Sequence, residues 1–84
     1  MTIFIYGLNY RARREHIVAL CSPYGNVLSA RIIVDQEAKR SKGYGFVEME
    51  TLEQAEAAIA AIDGMMHMGR VIHAVHAHDR AKNE

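Results

Sequence analysis

Residues 2–7 read Thr-Ile-Phe-Ile-Tyr-Gly, a β-branched and aromatic run without helical spacing. Such a run predicts a buried strand, closed by Gly7 and Asn9. Alternate strand residues face opposite ways, so Ile3 and Ile5 share one face and Thr2, Phe4 and Tyr6 the other. From Arg13 the period changes. Ile17, Leu20, Cys21 and Tyr24 stand at i, i+3, i+4 and i+7, the spacing of one helix face. Pro23 disfavours helix at Ser22 and Gly25 stops the pattern, so this helix should end between Cys21 and Tyr24. Its start is poorly marked, because Arg13 and Arg14 sit where the helix dipole prefers acids. Residues 27–34 predict a second strand, with Ala30, Ile32 and Val34 opposed to Ser29, Arg31 and Ile33. The polar residues 35–41 predict a loop. Residues 43–49 then alternate, Gly45, Val47 and Met49 against Tyr44, Phe46 and Glu48. Thr51 and Gln54 have the spacing of a capping box. Leu52, Ala55, Ala58, Ile59 and Ile62 follow as a helical stripe that Asp63-Gly64 ends. Residues 71–77 predict a last strand, with Ile72 and Ala74 on one face and Val71, His73 and Val75 on the other.

The order strand, helix, strand, strand, helix, strand predicts an α+β fold. It is that of a ferredoxin-like βαββαβ sandwich, with four antiparallel strands and both helices on one face. At 84 residues, half of them apolar and one of them Pro, the chain has the make-up of a single small globular domain. Ten Lys plus Arg balance ten Asp plus Glu, which excludes a polycation that coats nucleic acid or membrane in bulk. A single cysteine makes no internal disulfide. The longest early apolar run, Ile3 to Leu8, lacks a basic leader and is too short for a membrane span. The expectation is a soluble cytoplasmic protein without membrane association.

Helices on one face of such a sheet leave the other to water. Ile3, Ile5, Ala30, Ile32, Val47, Ile72 and Ala74 line the covered face in this reading, and Phe4, Tyr6, Tyr44 and Phe46 stand on the open one. The chain has 4 Tyr and 2 Phe, so four of its six aromatics are expected on water-facing positions. A domain short of core material has no structural use for rings there. Arg31, Lys39, Arg40 and Lys42 lie around them. Rings bordered by cations suit the stacking of unpaired bases and the pairing of phosphates.

Lys42-Gly43-Tyr44-Gly45-Phe46-Val47-Glu48-Met49 resembles the octapeptide of the RNA recognition motif family, K/R-G-F/Y-G/A-F-V-x-F/Y. It departs only at Met49, a position expected to face the core. Ile3-Phe4-Ile5-Tyr6-Gly7-Leu8 resembles the family's hexapeptide, usually closed by Asn-Leu, with Gly7 in place of Asn. Ile62-Asp63-Gly64 and Gly69-Arg70 match the end of its second helix and the start of its last strand. The resemblance covers nearly the whole chain and looks like the single-domain members of bacteria and organelles. It implies a domain over residues 1–78 and leaves residues 79–84 as a polar tail. It also implies that Phe4 stacks under one base and Phe46 under its neighbour, that Tyr44 packs against the sugars, and that Lys42 meets a phosphate. Tyr6, Arg31, Lys39, Arg40 and His73 are further candidate contacts, and Arg80 and Lys82 add cations in the tail. Arg11, Arg13 and Arg14 read as a solvated basic end beside the sheet. The expected partner of this monomer is single-stranded RNA, with single-stranded DNA held more weakly and no cofactor. Zero net charge keeps open a second reading, a protein-interaction or dimerisation module that uses the same face. Because the rings should face water, truncating Phe4 or Phe46 should leave the melting temperature nearly unchanged.

Other residue patterns lead less far. His73, His76 and His78 give H-x-x-H-x-H with His67 upstream, but a spacing of three puts His73 and His76 on opposite strand faces. No cysteine or carboxylate joins them at the spacing of a zinc site, so no metal is expected. Cys21 reads as a small core residue, and Met65, Met66 and Met68 as gap filling around the second helix. Gly43 and Gly45 lie inside a strand motif, not in a phosphate loop between strand and helix. No nucleophile–base pair or pair of carboxylates marks an active site, and no enzyme is expected.

Overall fold

The computed structural model describes residues 1–35, 37 and 40–77, without the side chains of residues 35 and 40–42. Strand β1 (Thr2–Tyr6) leads to helix α1 (Arg14–Cys21) and a 3-10 turn, Ser22–Tyr24. Strands β2 (Val27–Asp35) and β3 (Arg40–Met49) precede helix α2 (Leu52–Ile62). Three short strands follow, β4 (Met66–His67), β5 (Arg70–Val71) and β6 (His73–His76). The main sheet has four antiparallel strands in the order β2-β3-β1-β6, and β4 and β5 form a separate hairpin. This is the ferredoxin-like arrangement, with both helices on one face. No helix among the described residues is long and apolar enough to cross a membrane.

The core lies between the sheet and the helices. Ile3, Ile5, Val47, Met49, Ile72 and Ala74 come from the sheet side, Ile17 and Cys21 from α1, and Ala55, Ala58 and Ile62 from α2, all buried. Ala30 and Ile32 of β2 pack against this cluster while only partly buried. Gly45 is required here. A Cβ at that position would run into the Arg31 carbonyl, with Ile17 and Ile32 close behind. Leu8 and Ala12 are also buried, although neither belongs to a strand or helix stripe. They sit in the connection after β1, which the Leu8 N–H ties to the Gly43 carbonyl at 2.9 Å.

Several local expectations are corrected. Tyr24, Val34 and Leu52 are exposed, not core residues. Tyr24 stands on the 3-10 turn, where the α-helical spacing no longer applies, and Leu52 is the first residue of α2. A shift of register between Ile32 and Val34 breaks the alternation that would have turned Val34 inward. The expected loop at 35–41 is shorter, because Val34 pairs with Ser41 and Asp35 with Arg40. Those backbones satisfy one another, so the ladder continues through polar residues. Val71 leaves the expected last strand and pairs with Met66.

Both helix starts use side chains the pattern described incompletely. The Arg13 N–H donates to His16 Nδ1 at 2.8 Å, so an imidazole satisfies a backbone donor at the start of α1. In α2 the Gln54 N–H donates to Thr51 Oγ1 at 3.2 Å, as expected. The Gln54 side chain does not return to Thr51. Its Oε1 accepts from the Asn26 N–H at 3.0 Å and so ties α2 to the start of β2.

Candidate nucleic-acid interface

The register of the sheet decides which open-face side chains meet. Phe4 pairs with Phe46 and Tyr6 with Tyr44 on one side of β1, and Phe4 with Val75 and Tyr6 with His73 on the other. Arg31 lies opposite Phe46. Two rows result: Arg31, Phe46, Phe4 and Val75 across the middle, and Tyr44, Tyr6 and His73 beside them. Phe4 is the hub. Its ring centroid lies 5.3 Å from Phe46, 5.5 Å from Tyr6 and 5.6 Å from Tyr44. Tyr6 stacks in turn on His73 at 5.2 Å. Tyr6 is exposed, while Phe4, Tyr44, Phe46 and His73 are half-buried, mutually supported and still accessible. The structure thus brings Phe4, Tyr6, Tyr44, Phe46, Arg31 and His73 into one surface.

The polar groups around this surface have specific neighbours. The Arg31 guanidinium carbon lies 5.1 Å from the Phe46 ring centroid, a cation over an aromatic face. His73 Nδ1 lies 3.2 Å from Asp63 Oδ1, and the same oxygen accepts from the Ala74 N–H at 3.2 Å. A carboxylate only accepts, so this contact favours the proton on Nδ1 and leaves Nε2 as the acceptor of the neutral ring. Glu48 stands at the other end of the face. Its carboxylate takes the N-terminal ammonium at 2.8 Å and the Thr2 hydroxyl at 2.8 Å. These bonds, the ammonium's first, hold its pKa below the usual carboxylate value.

Other candidates lie elsewhere. Arg40 and Lys42 belong to β3, with their side chains beyond what is described, and Lys39, His78, Arg80, Lys82 and the whole of residues 79–84 fall outside the described residues. Arg11, Arg13 and Arg14 are exposed, and the Arg11 guanidinium lies 5.9 Å from the Tyr10 centroid. The histidines divide. His67, in the small hairpin, faces His16 with ring centroids 6.1 Å apart, and burial followed by the neighbouring imidazole lowers its pKa. Among the described residues no three His, Cys, Asp or Glu side chains are placed to hold a metal. Cys21 is buried, which pushes its pKa up to about 11. Two surface residues were not among the candidates. Val75 was visible in the alternation of the last strand. Tyr10 sits in a connection, where no period assigns a face.

The sequence matches the profile of the family described as the RNA recognition motif over residues 3–73. RbpE of Nostoc sp., named provisionally as an RNA-binding protein, is 39% identical over 72 residues, covering 86% of this chain and 73% of that protein. The mitochondrial glycine-rich RNA-binding protein 3 of Arabidopsis thaliana is 38% identical over 78 residues, 93% of this chain and 25% of its own length. The crystal structure of RNA Binding Protein PG1 superposes with a TM-score of 0.85 at 43% identity, covering 89% of this chain and 90% of that one.

Proposed function

The chain belongs to the RNA recognition motif family, and from that premise we propose that it binds single-stranded RNA on the open face of its sheet. The observation that carries the reading is the continuous ring surface centred on Phe4, on the face the helices leave uncovered. One base stacks on Phe4 and its neighbour on Phe46, and Tyr44 packs against the intervening sugars. Tyr6 and His73 extend the platform, with His73 Nε2 directed by Asp63 to accept from a base or a 2′-hydroxyl. Arg31, Lys39, Arg40 and Lys42 meet phosphates. The protein performs no chemistry; it covers or presents a few nucleotides. At about 1–3 kcal/mol per stacked base, two or three bases supply about 2–9 kcal/mol, and the phosphate contacts add to this to bring the affinity toward the micromolar range.

Paired bases already stack on one another, and a chain with zero net charge does not compensate by coating the backbone. Fluorescence anisotropy with matched RNA, DNA and duplex oligonucleotides at one salt concentration tests the mechanism. Annealing the RNA to its complement should weaken binding at least about tenfold, near 1.4 kcal/mol. Single-stranded DNA should fall between, because it keeps the bases and lacks the 2′-hydroxyl. Equal affinity for duplex and single strand would overturn the stacking mechanism. The protein-interaction reading predicts a chain that forms dimers in gel filtration and binds none of the three.

A further inference from the structure

Beyond the second ring row, at the same end of the sheet, the surface falls into an open cleft of about 370 Å³. Tyr6 and Tyr44 belong to the platform and the cleft alike, while Leu8 and Tyr10 come from the connection after β1 and Arg70 from the small hairpin. We propose that this cleft is an additional nucleotide subsite, which takes the next base of the same RNA strand on Tyr10 and its phosphate on Arg70. The inference rests on the RNA-binding reading and extends it to Tyr10 and Arg70, two residues outside the ring platform.

Three observations carry it. The first is where the aromatics go. Of 4 Tyr and 2 Phe, four form the platform and Tyr10 adds a fifth beside the cleft. Tyr10 is 49% exposed, so it contributes little to the core. The second is charge. Arg70 is exposed on the cleft wall, and the Arg11 guanidinium lies 5.9 Å from the Tyr10 ring centroid. Guanidinium groups beside a tyrosine suit a base stacked on the ring with its phosphate close by. The third is preorganisation. The Asn9 side chain donates to the Met68 carbonyl at 2.9 Å and accepts from the Arg11 N–H at 2.8 Å. Together with buried Leu8 and Ala12, these bonds hold the connection in place before any ligand arrives. Less ordering entropy is then lost on binding. Continuity selects the occupant. A strand lying on Tyr6 and Tyr44 reaches the cleft with its next nucleotide, whereas a free mononucleotide would lack the platform contacts.

The test is a length series. Random-base RNA pools of two, three, four, five and six nucleotides are titrated by calorimetry into the parent and into a Tyr10→Ala, Arg70→Ala double variant. The parent should gain roughly tenfold in affinity at the length that first reaches the cleft. In the double variant that step should vanish, so its deficit appears only for the longer pools. Tyr10→Phe, which keeps the ring, should restore much of the step if Arg70 is retained. Equal affinities of parent and double variant at every length overturn the subsite while leaving the platform intact. A uniform loss at all lengths, with an unchanged melting temperature, also overturns it, because the two residues would then act on the platform. A parent that binds none of the pools refutes the RNA-binding reading itself.

Discussion

Replacing Phe4 with alanine separates binding from stability, and the structure sets both magnitudes. Removing the ring deletes one base-stacking surface, worth about 1–3 kcal/mol, or roughly 5- to 150-fold in affinity. The ring also contacts Phe46, Tyr6 and Tyr44 within 5.6 Å. Aromatic pairs contribute about 0.5–1.5 kcal/mol each beyond their buried area. Three such contacts on a half-exposed face give a stability loss near the lower end, about 1–2 kcal/mol in total. For a domain of this size each kcal/mol lowers the melting temperature by about 4–8 °C. The structure therefore revises the expectation from sequence that Phe4→Ala leaves stability nearly unchanged. A domain starting from about 5 kcal/mol would stay about 99% folded, so lost binding is not lost fold. The assay is fluorescence anisotropy across a salt series, paired with thermal unfolding followed by circular dichroism. Because no charge is removed, the slope of log affinity against log salt should not change. Parental affinity together with the expected fall in melting temperature would refute the stacking role, since the ring would then serve only its protein neighbours.

Four other outcomes are expected. The salt slope for the parent should be about −1.5 to −3, and Lys42→Ala should make it shallower by about 0.7, measured on the same anisotropy series. Gly7→Ala should destabilise by about 1–3 kcal/mol in urea titration, because φ is +80° there and a Cβ would lie 2.8 Å from the Val71 carbonyl oxygen. Buried Cys21 should resist alkylation at neutral pH until the domain unfolds, so its labelling rate should rise with denaturant as the unfolded population does. Burial raises its folded pKa to about 11, above the ordinary thiol value that the unfolded chain keeps, so it contributes stability at lower pH that is lost as pH rises above the lower, unfolded value. Cys21→Ala should therefore flatten the fall of stability between these limits, read by urea titrations at a series of pH values.

Much of the fold is legible before any coordinates because it rests on local periodicity. Alternation in residues 2–7 and 43–49 assigns Ile3, Ile5, Val47 and Met49 to one face and Phe4, Tyr6, Tyr44 and Phe46 to the other, and burial of a single sheet face enforces that assignment. The helical spacing of Ile17 and Cys21, and of Ala55, Ala58 and Ile62, likewise marks the residues that are buried. Where the period lapses, so does the reading. Tyr24 and Val34 fall beyond a change of helix type and a shift of register, and both are exposed.

Contacts between residues distant in the chain obey no local period, and folding had to supply them. Strand order placed β1 between β3 and β6, which made Phe4 the hub of the rings and set His73 beside Tyr6. The meeting of the end of α2 with β6 gave Asp63 the contact that orients His73. The hydrogen bond from Asn9 to Met68 and the approach of Arg70 built a cleft around Tyr10 from segments some sixty residues apart in sequence. Periodicity names the face on which a side chain stands; only the pairing of remote backbones names its neighbours, because those distances depend on strand order and register and not on adjacent residues.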